Sequence, residues 1–250
     1  MPREKACPLV PAFGVDYVPG GLAAGLALAE AGERAHRVDV GYSMQGASGQ
    51  AFSRGTLVSM VGILLDPGFA FSGGRLVAEP SGRRMWRFEA AGRSRQGLSI
   101  GGAEHLTLPA LAPSLQEVGV HLDWFGPMTQ PAHLMAPLTP LLGRVPGTER
   151  ALQRLAGTLG RRVAEAPSEA TLAAARTIAV AEVRDRAGSL VSRVELAGPE
   201  PYGLTAGLLA WAATTAASGG VRATGALGPV AAFGLEDLTA GAAQAGLRRA

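Results

Sequence analysis

The chain has 250 residues, 47% of them hydrophobic and 17% charged, with a formal charge of +3. It is long enough to bury a core and too apolar to stay disordered, so one globular unit, or a domain with an appended subdomain, is expected. Lys5 is the lone lysine, which leaves a Schiff base or a P-loop almost no candidate, and the single Cys7 rules out an internal disulfide, a Cys-based zinc site or an iron–sulfur cluster within this chain.

The arginines, among them Arg83, Arg84, Arg93, Arg95, Arg161 and Arg162, are scattered without interleaved aromatics. They read as a solvated surface, and no nucleic-acid partner is expected. The first residues carry charge but no apolar signal core, so the expected location is a reducing, cytoplasmic one. No metal site is expected. Glycine, 35 residues, is about twice as frequent as usual. It falls between apolar runs, which fits tight turns and close backbone contacts.

In chain order, residues 11–18 form an extended entry and turn, and Pro19 opens a helix that runs to Gly32 with Gly21 and Gly25 on one face. Residues 37–46 alternate as a strand with Val38, Val40 and Tyr42 on one side. Ser53 caps a helix over 53–65. Strands follow at 74–80, 83–90, 95–102 and 117–125, then a helical stretch from Pro131 to Leu159, broken near Pro146-Gly147. Two alternating runs over 176–198 turn at Ala187-Gly188 as a hairpin. A helix over Tyr202–Ala217, a loop over 225–234 and an amphipathic helix from Leu235 complete the chain. The uncharged stretch from Pro201 to Val221 carries enough threonine and glycine to read as a buried helix rather than a membrane span. Strands joined mostly by hairpins, with helices grouped at the ends, predict an α+β fold: a central mixed, largely antiparallel sheet with helices packed on it.

No G-x-G-x-x-G occurs, and neither do H-E-x-x-H, G-x-S-x-G or a calcium loop. Three constellations remain. Asp16, just before a helix start, serves either as a ligand-binding carboxylate or as a cap for free N–H groups. Ser53, Arg54 and Thr56 at another helix start either hold an anion or simply cap it. Glu104 and His105 follow a double glycine; burial could bring their pKa values toward neutrality for general acid and base work, although neighbours on a regular element point apart.

The stretches "VPAFGVDYVPGGLA", "SRGTLVSM", "IGGAEHLTLP" and "YGLTAGLLAWAA…GALGPVAAFGLEDL", in this order, resemble the part of bacterial saccharopine dehydrogenase-like oxidoreductases that follows the Rossmann half, in the trans-acting enoyl reductase branch. The resemblance covers about Pro8 to Leu238. It implies a substrate-side α+β domain over 1–198 and a C-terminal helical segment over 199–250 that packs on the nucleotide-binding domain. It also implies NAD(P) as the family's cofactor and a small-molecule or acyl substrate. Gly14, Asp16 and Pro19 match the turn after the Rossmann half, and Ser53, Gly55 and Thr56 match a helix start lining the interdomain cleft. The glycine-rich half is missing from this sequence, so no cofactor is expected to bind the chain alone. The expected partners are a Rossmann half supplied in trans or a second copy of the chain. A non-catalytic binding or assembly module with the same fold is the alternative. The helix over 202–217, apolar nearly all round, is expected to leave one face uncovered in the monomer.

Overall fold

The computed structural model describes residues 7–46, 55–56, 59, 62–63, 68–139 and 167–250. The central sheet runs in the order β11 (Arg248–Arg249), β9 (Leu190–Gly198), β8 (Arg176–Arg184), β2 (Arg37–Gln45), β7 (Glu117–Leu122), β3 (Phe69–Ser72), β4 (Arg75–Ala78). β5 (Met85–Ala90) and β6 (Arg93–Ser99) form a hairpin that joins through β6 to the far end of β7. Within this sheet only β2 and β7 run parallel; every other pairing among the described residues is antiparallel. A separate two-residue bridge joins β1 (Pro8–Leu9) to β10 (Gly225–Ala226). The architecture is the expected α+β one, a mixed, largely antiparallel sheet with helices packed on it.

Helix α1 (Val18–Ala31) takes Pro19 in its first turn and stops at Gly32, whose φ of 56° lies in the left-handed region. It lies across β8, β9 and β2 and is itself covered by α6 (Pro229–Phe233) and α7 (Leu235–Gln244), which explains why Ala and Leu occupy nearly its whole circumference. Strand β2, central in the sheet, is buried on both faces. Val38, Val40 and Tyr42 join the main core with α1, and Asp39, Gly41 and Ser43 point to the opposite face. There the hairpin folds back: a Cβ on Gly41 would meet the Phe88 ring at 2.7 Å, Trp86 stacks on Phe88 at 4.7 Å, and Ile178 and Val180 complete a second cluster.

Helix α5 (Pro201–Ala217) starts on Glu200, whose carboxylate accepts from the N–H groups of Tyr202 and Gly203. Leu204 and Leu208 enter the main core, together with Leu238, Ala242 and Leu247. Trp211 is half-buried between Phe13 and Phe233. Ala206, Leu209 and Ala213 are exposed along one side of the helix, the apolar face expected to lie open.

Residues 225–234 are not simply a loop. They hold β10 and α6, because Pro229 with its fixed φ begins a helical turn directly after Gly228. The helix expected over 53–65 is seen in its described residues 55–56, 59 and 62–63, while its Ser53 cap lies outside them. Of the stretch from Pro131 to Leu159, the described part holds α3 (Thr129–Met135) and a 3-10 turn at Ala136–Leu138; the break near Pro146-Gly147 lies outside. Helix α4 (Glu169–Ala174) precedes β8, capped by the Ser168 hydroxyl, which accepts from the Thr171 N–H. Among the described residues no helix is long and apolar enough to cross a membrane.

Candidate functional site

Helix α2 (Glu104–Thr107) is one turn long and begins with Glu104, which is 1% exposed. A carboxyl so deeply placed needs partners, because burying a bare charge is costly. Tyr42, arriving from β2, donates its phenolic proton to Glu104 Oε1 at 2.5 Å, and the same phenol oxygen accepts from the Gly20 N–H at 3.1 Å. Gly20 is in the first turn of α1, where backbone N–H groups have no helical acceptor. The relay therefore links a helix N-terminus, a phenol and a carboxyl. Gly20 must lack a side chain, since a Cβ there would overlap the Tyr42 ring.

Glu104 Oε2, equally shut off from solvent, has no hydrogen-bond partner. Gly102 stands against it: a Cβ on that glycine would meet Oε2 at 2.6 Å and the Tyr17 ring at 3.1 Å. Burial pushes the Glu104 pKa up to about 7, with the Tyr42 hydrogen bond pulling the other way and the charge of Asp16 adding to the rise. The carboxyl therefore exchanges its proton close to neutral pH. Burial also raises Tyr42 well above the usual phenol range and Tyr17 to about 12, with Glu104 charge contributing in both cases.

Asp16 and Tyr17 form the turn that leads into α1. Tyr17 takes a φ of 97°, a left-handed conformation rarely adopted by a non-glycine residue, and is held by the bonds around it: the Val18 N–H donates to Gly14 O and the Gly21 N–H to Tyr17 O. The Val15 N–H donates to the Thr205 hydroxyl of α5, tying the turn to that helix. Asp16 is largely exposed as a residue, yet the protein packed around its carboxyl raises its pKa. Asp16 and Tyr17 thus lie within electrostatic reach of Glu104, Asp16 exposed and Tyr17 half-buried, while Gly14 in the same turn stands against Thr205.

His105 does not share it. Its Nδ1 lies 3.0 Å from the Gly102 N–H that donates to it, its ring packs edge-on to Phe69 at 5.6 Å, and burial lowers its pKa. It lines a void of about 10 Å³, room for about one water, with Arg84, Ser99 and His121. Adjacent in sequence, Glu104 and His105 diverge as neighbours on a helical turn do, and no hydrogen bond joins them to act as an acid–base pair. Gly55 is exposed and Thr56 half-buried in helical backbone, while Ser53 and Arg54 lie outside the described residues.

Tyr42, Tyr17 and His121 were not singled out as site residues from sequence. Tyr42 carried only the signature of a core strand, and nothing in the one-dimensional pattern pairs it with a residue 62 positions away. Among the described residues, no group of three or more His, Cys, Asp or Glu side chains could hold a metal ion.

No family model matches the chain, and no curated protein matches it in sequence. Among solved structures it is similar to apo histidine-tagged saccharopine dehydrogenase (L-Glu forming) from Saccharomyces cerevisiae, with a TM-score of 0.54 and 11% identity over 99% of this chain and 74% of that chain. At that identity the likeness is one of fold.

Proposed function

We propose that the chain is the substrate-side and dimerisation part of a saccharopine dehydrogenase-like, NAD(P)-dependent oxidoreductase of the trans-acting enoyl reductase branch, acting in the cytoplasm and inactive by itself. The observation that carries this reading is the fold similarity extending over 99% of the chain. The ordered motifs that resemble the post-Rossmann part of that family support it.

A dinucleotide does not fit the described residues. A pyrophosphate is held where a glycine-rich turn passes from a parallel strand into a helix N-terminus. Here the sequence has no G-x-G-x-x-G, and the helix after the extended entry opens on the strained Tyr17 turn. The cofactor's binding half therefore has to come from outside these residues. In this reading the chain's own residues contribute the turn at Asp16, exposed, and Tyr17, half-buried, and, behind it, Glu104, whose pKa of about 7 lets it take up or release a proton near neutral pH. Glu104 is a positioning residue in this scheme, acting through Tyr17 and the Tyr42 relay.

The test is binding, read without turnover. With a short 2-enoyl thioester as probe, hydrogen exchange should slow over residues 14–21, and Glu104→Gln should weaken that protection. NADPH alone should bind no tighter than about 1 mM. No protection at the Asp16–Tyr17 turn would favour a non-catalytic assembly module on the same fold, and a micromolar NADPH constant would remove the need for a separate nucleotide half.

A further inference from the structure

Helix α3 and the 3-10 turns on either side of it, Gly126–Met128 and Ala136–Leu138, make one helical run that is patterned inside out. Its inner side carries small and polar residues: Thr129 and Ala136 are buried, Ala132 and His133 half-buried. The outer side carries the large apolar ones. Leu134 is 73% exposed and Met128 61%, and Met135 and Leu138 are exposed with them. A helix that only covers a core has the reverse pattern. The run contains no acidic residue, and Gln130 is its one exposed polar side chain.

The run is held on the outer face of the β5–β6 hairpin. Gln130 Nε2 donates to Gln96 Oε1 at 3.5 Å and reaches Met85 Sδ at 3.8 Å, and His133 Nδ1 donates to Gly82 O at 2.8 Å. In the hairpin register Met85 stands opposite Leu98 and Arg87 opposite Gln96, so these side chains share the face turned toward α3, whereas Phe88 and Arg95 share the face turned toward the sheet. Arg83 is exposed directly after Gly82, at the His133 end of the helix. Arg87 is exposed at the other end, where it lines a cleft with Gly126 and Thr129. Neither guanidinium has an ion pair or hydrogen bond among the described residues. Of the nearby acids, Asp123 accepts from Ser43 and pairs with Arg95, and Glu89 lies two residues beyond Arg87, toward the hairpin tip. The exposed leucines and methionines are thus flanked at both ends by unpaired positive charge.

That combination selects among the possible partners. A second copy docked face to face would bring two arginine rims together. Residues 140–166, which follow in the chain, carry five arginines and two glutamates, a charge of the same sign. An anionic lipid surface complements both parts at once: leucine and methionine side chains enter the boundary between headgroups and acyl chains, and guanidinium groups meet phosphate and carboxylate oxygens. We propose that the face from Met128 to Leu138, with Arg83 and Arg87, docks on the surface of an anionic phospholipid bilayer without crossing it. The inference goes beyond the oxidoreductase reading, since this face lies on the other side of the sheet from Tyr42 and Glu104 and its test uses no substrate.

The experiment sediments the full chain with vesicles of phosphatidylcholine alone and of phosphatidylcholine with about a third phosphatidylserine. The anionic vesicles should bind it with an apparent dissociation constant below about 1 mM lipid, at least about tenfold tighter than the neutral ones, and high salt should weaken the binding. Leu134→Glu, and separately the double change Arg83→Gln with Arg87→Gln, should each weaken binding about tenfold or more. All three residues are exposed, so melting temperatures should stay in place. Leu209→Glu, at an exposed leucine of α5 across the sheet, is the control and should bind as the unmodified chain does. The proposal is overturned if anionic vesicles bind no tighter than about 1 mM or no better than neutral ones, or if Leu209→Glu loses as much as Leu134→Glu. It is equally overturned if light scattering shows an oligomer that Leu134→Glu dissociates, which would assign the face to a second copy of the chain.

Discussion

Tyr42 and Glu104 meet inside the protein at 2.5 Å, phenol to carboxyl, although one comes from the middle of the central strand and the other from a one-turn helix 62 positions later. Gly20 completes the contact from the start of α1, so a single phenol joins the strand, the long helix and the short one. Tyr42→Phe would strip both partners at once, leaving the Gly20 N–H and Glu104 Oε1 unmet in a dry site. We expect a loss of about 1–3 kcal/mol in urea unfolding. The Glu104 pKa should also rise further, since the lost hydrogen bond is one of the influences holding it down. An infrared titration of the carboxyl band that gave an unchanged or lower midpoint would contradict this.

Glu104 should make stability fall as pH rises. Its folded pKa of about 7 lies above its ordinary value of 4.5, so the native state retains a proton that the unfolded chain releases. Its favourable contribution is complete below about pH 4.5 and is lost as pH climbs through about 7. Glu104→Gln keeps an oxygen for Tyr42 and removes the titration. The stability of the variant relative to the unmodified chain should therefore grow between about pH 5 and 8, by at most about 3 kcal/mol. Parallel stability–pH curves for the two proteins would count against a protonated Glu104.

His121 should act at the acid end. It is 1% exposed, its Nδ1 lacks a partner, and burial depresses its pKa to about 4 from 6.5. The unfolded chain takes up a proton below about 6.5 that the native state resists, so stability is lost as pH falls from 6.5 through 4. His121→Phe, which can keep the ring contact with Trp86, should flatten that limb in thermal melts recorded from neutral to acid pH. His105, also lowered by burial, should leave part of the acid limb in place.

Gly102→Ala should damage the site without touching its charges. The new methyl would press on Glu104 Oε2 and on the Tyr17 ring, and room can come only from moving one of them. Overpacking of this kind costs about 1–3 kcal/mol. Gly21→Ala, where a Cβ meets nothing within 4 Å, is the matching control and should be neutral or mildly stabilising in the same denaturation assay.

Leu209 is 49% exposed on the bare side of α5, in line with Tyr202, Ala206 and Ala213. Leu209→Glu should change monomer stability by no more than about 0.5 kcal/mol. If that side is an interface, the charge should abolish any self-association seen by light scattering. A large destabilisation would show instead that Leu209 is part of the monomer core.

Much of the fold was legible in the residues because short-range physics decides it. Pro19 and Gly32 bound α1 by their fixed or permissive φ, the alternation over 37–45 and 176–198 is that of strands, and Gly188 at φ 83° supplies the hairpin turn. The region 225–234 was misread because its glycines and prolines signal turns equally well whether a short strand and helix lie between them or not. Asp16 beside a helix start and Glu104 after a double glycine stand out in the sequence, but tertiary structure alone divides Glu104 from His105, because which side of a one-turn helix faces the core depends on what packs there. The same holds for Tyr42. Strand periodicity says that a side chain is buried or exposed, whereas chain crossings far apart in sequence determine which groups share a low-dielectric pocket and so which of them hold a proton or lack a counterion.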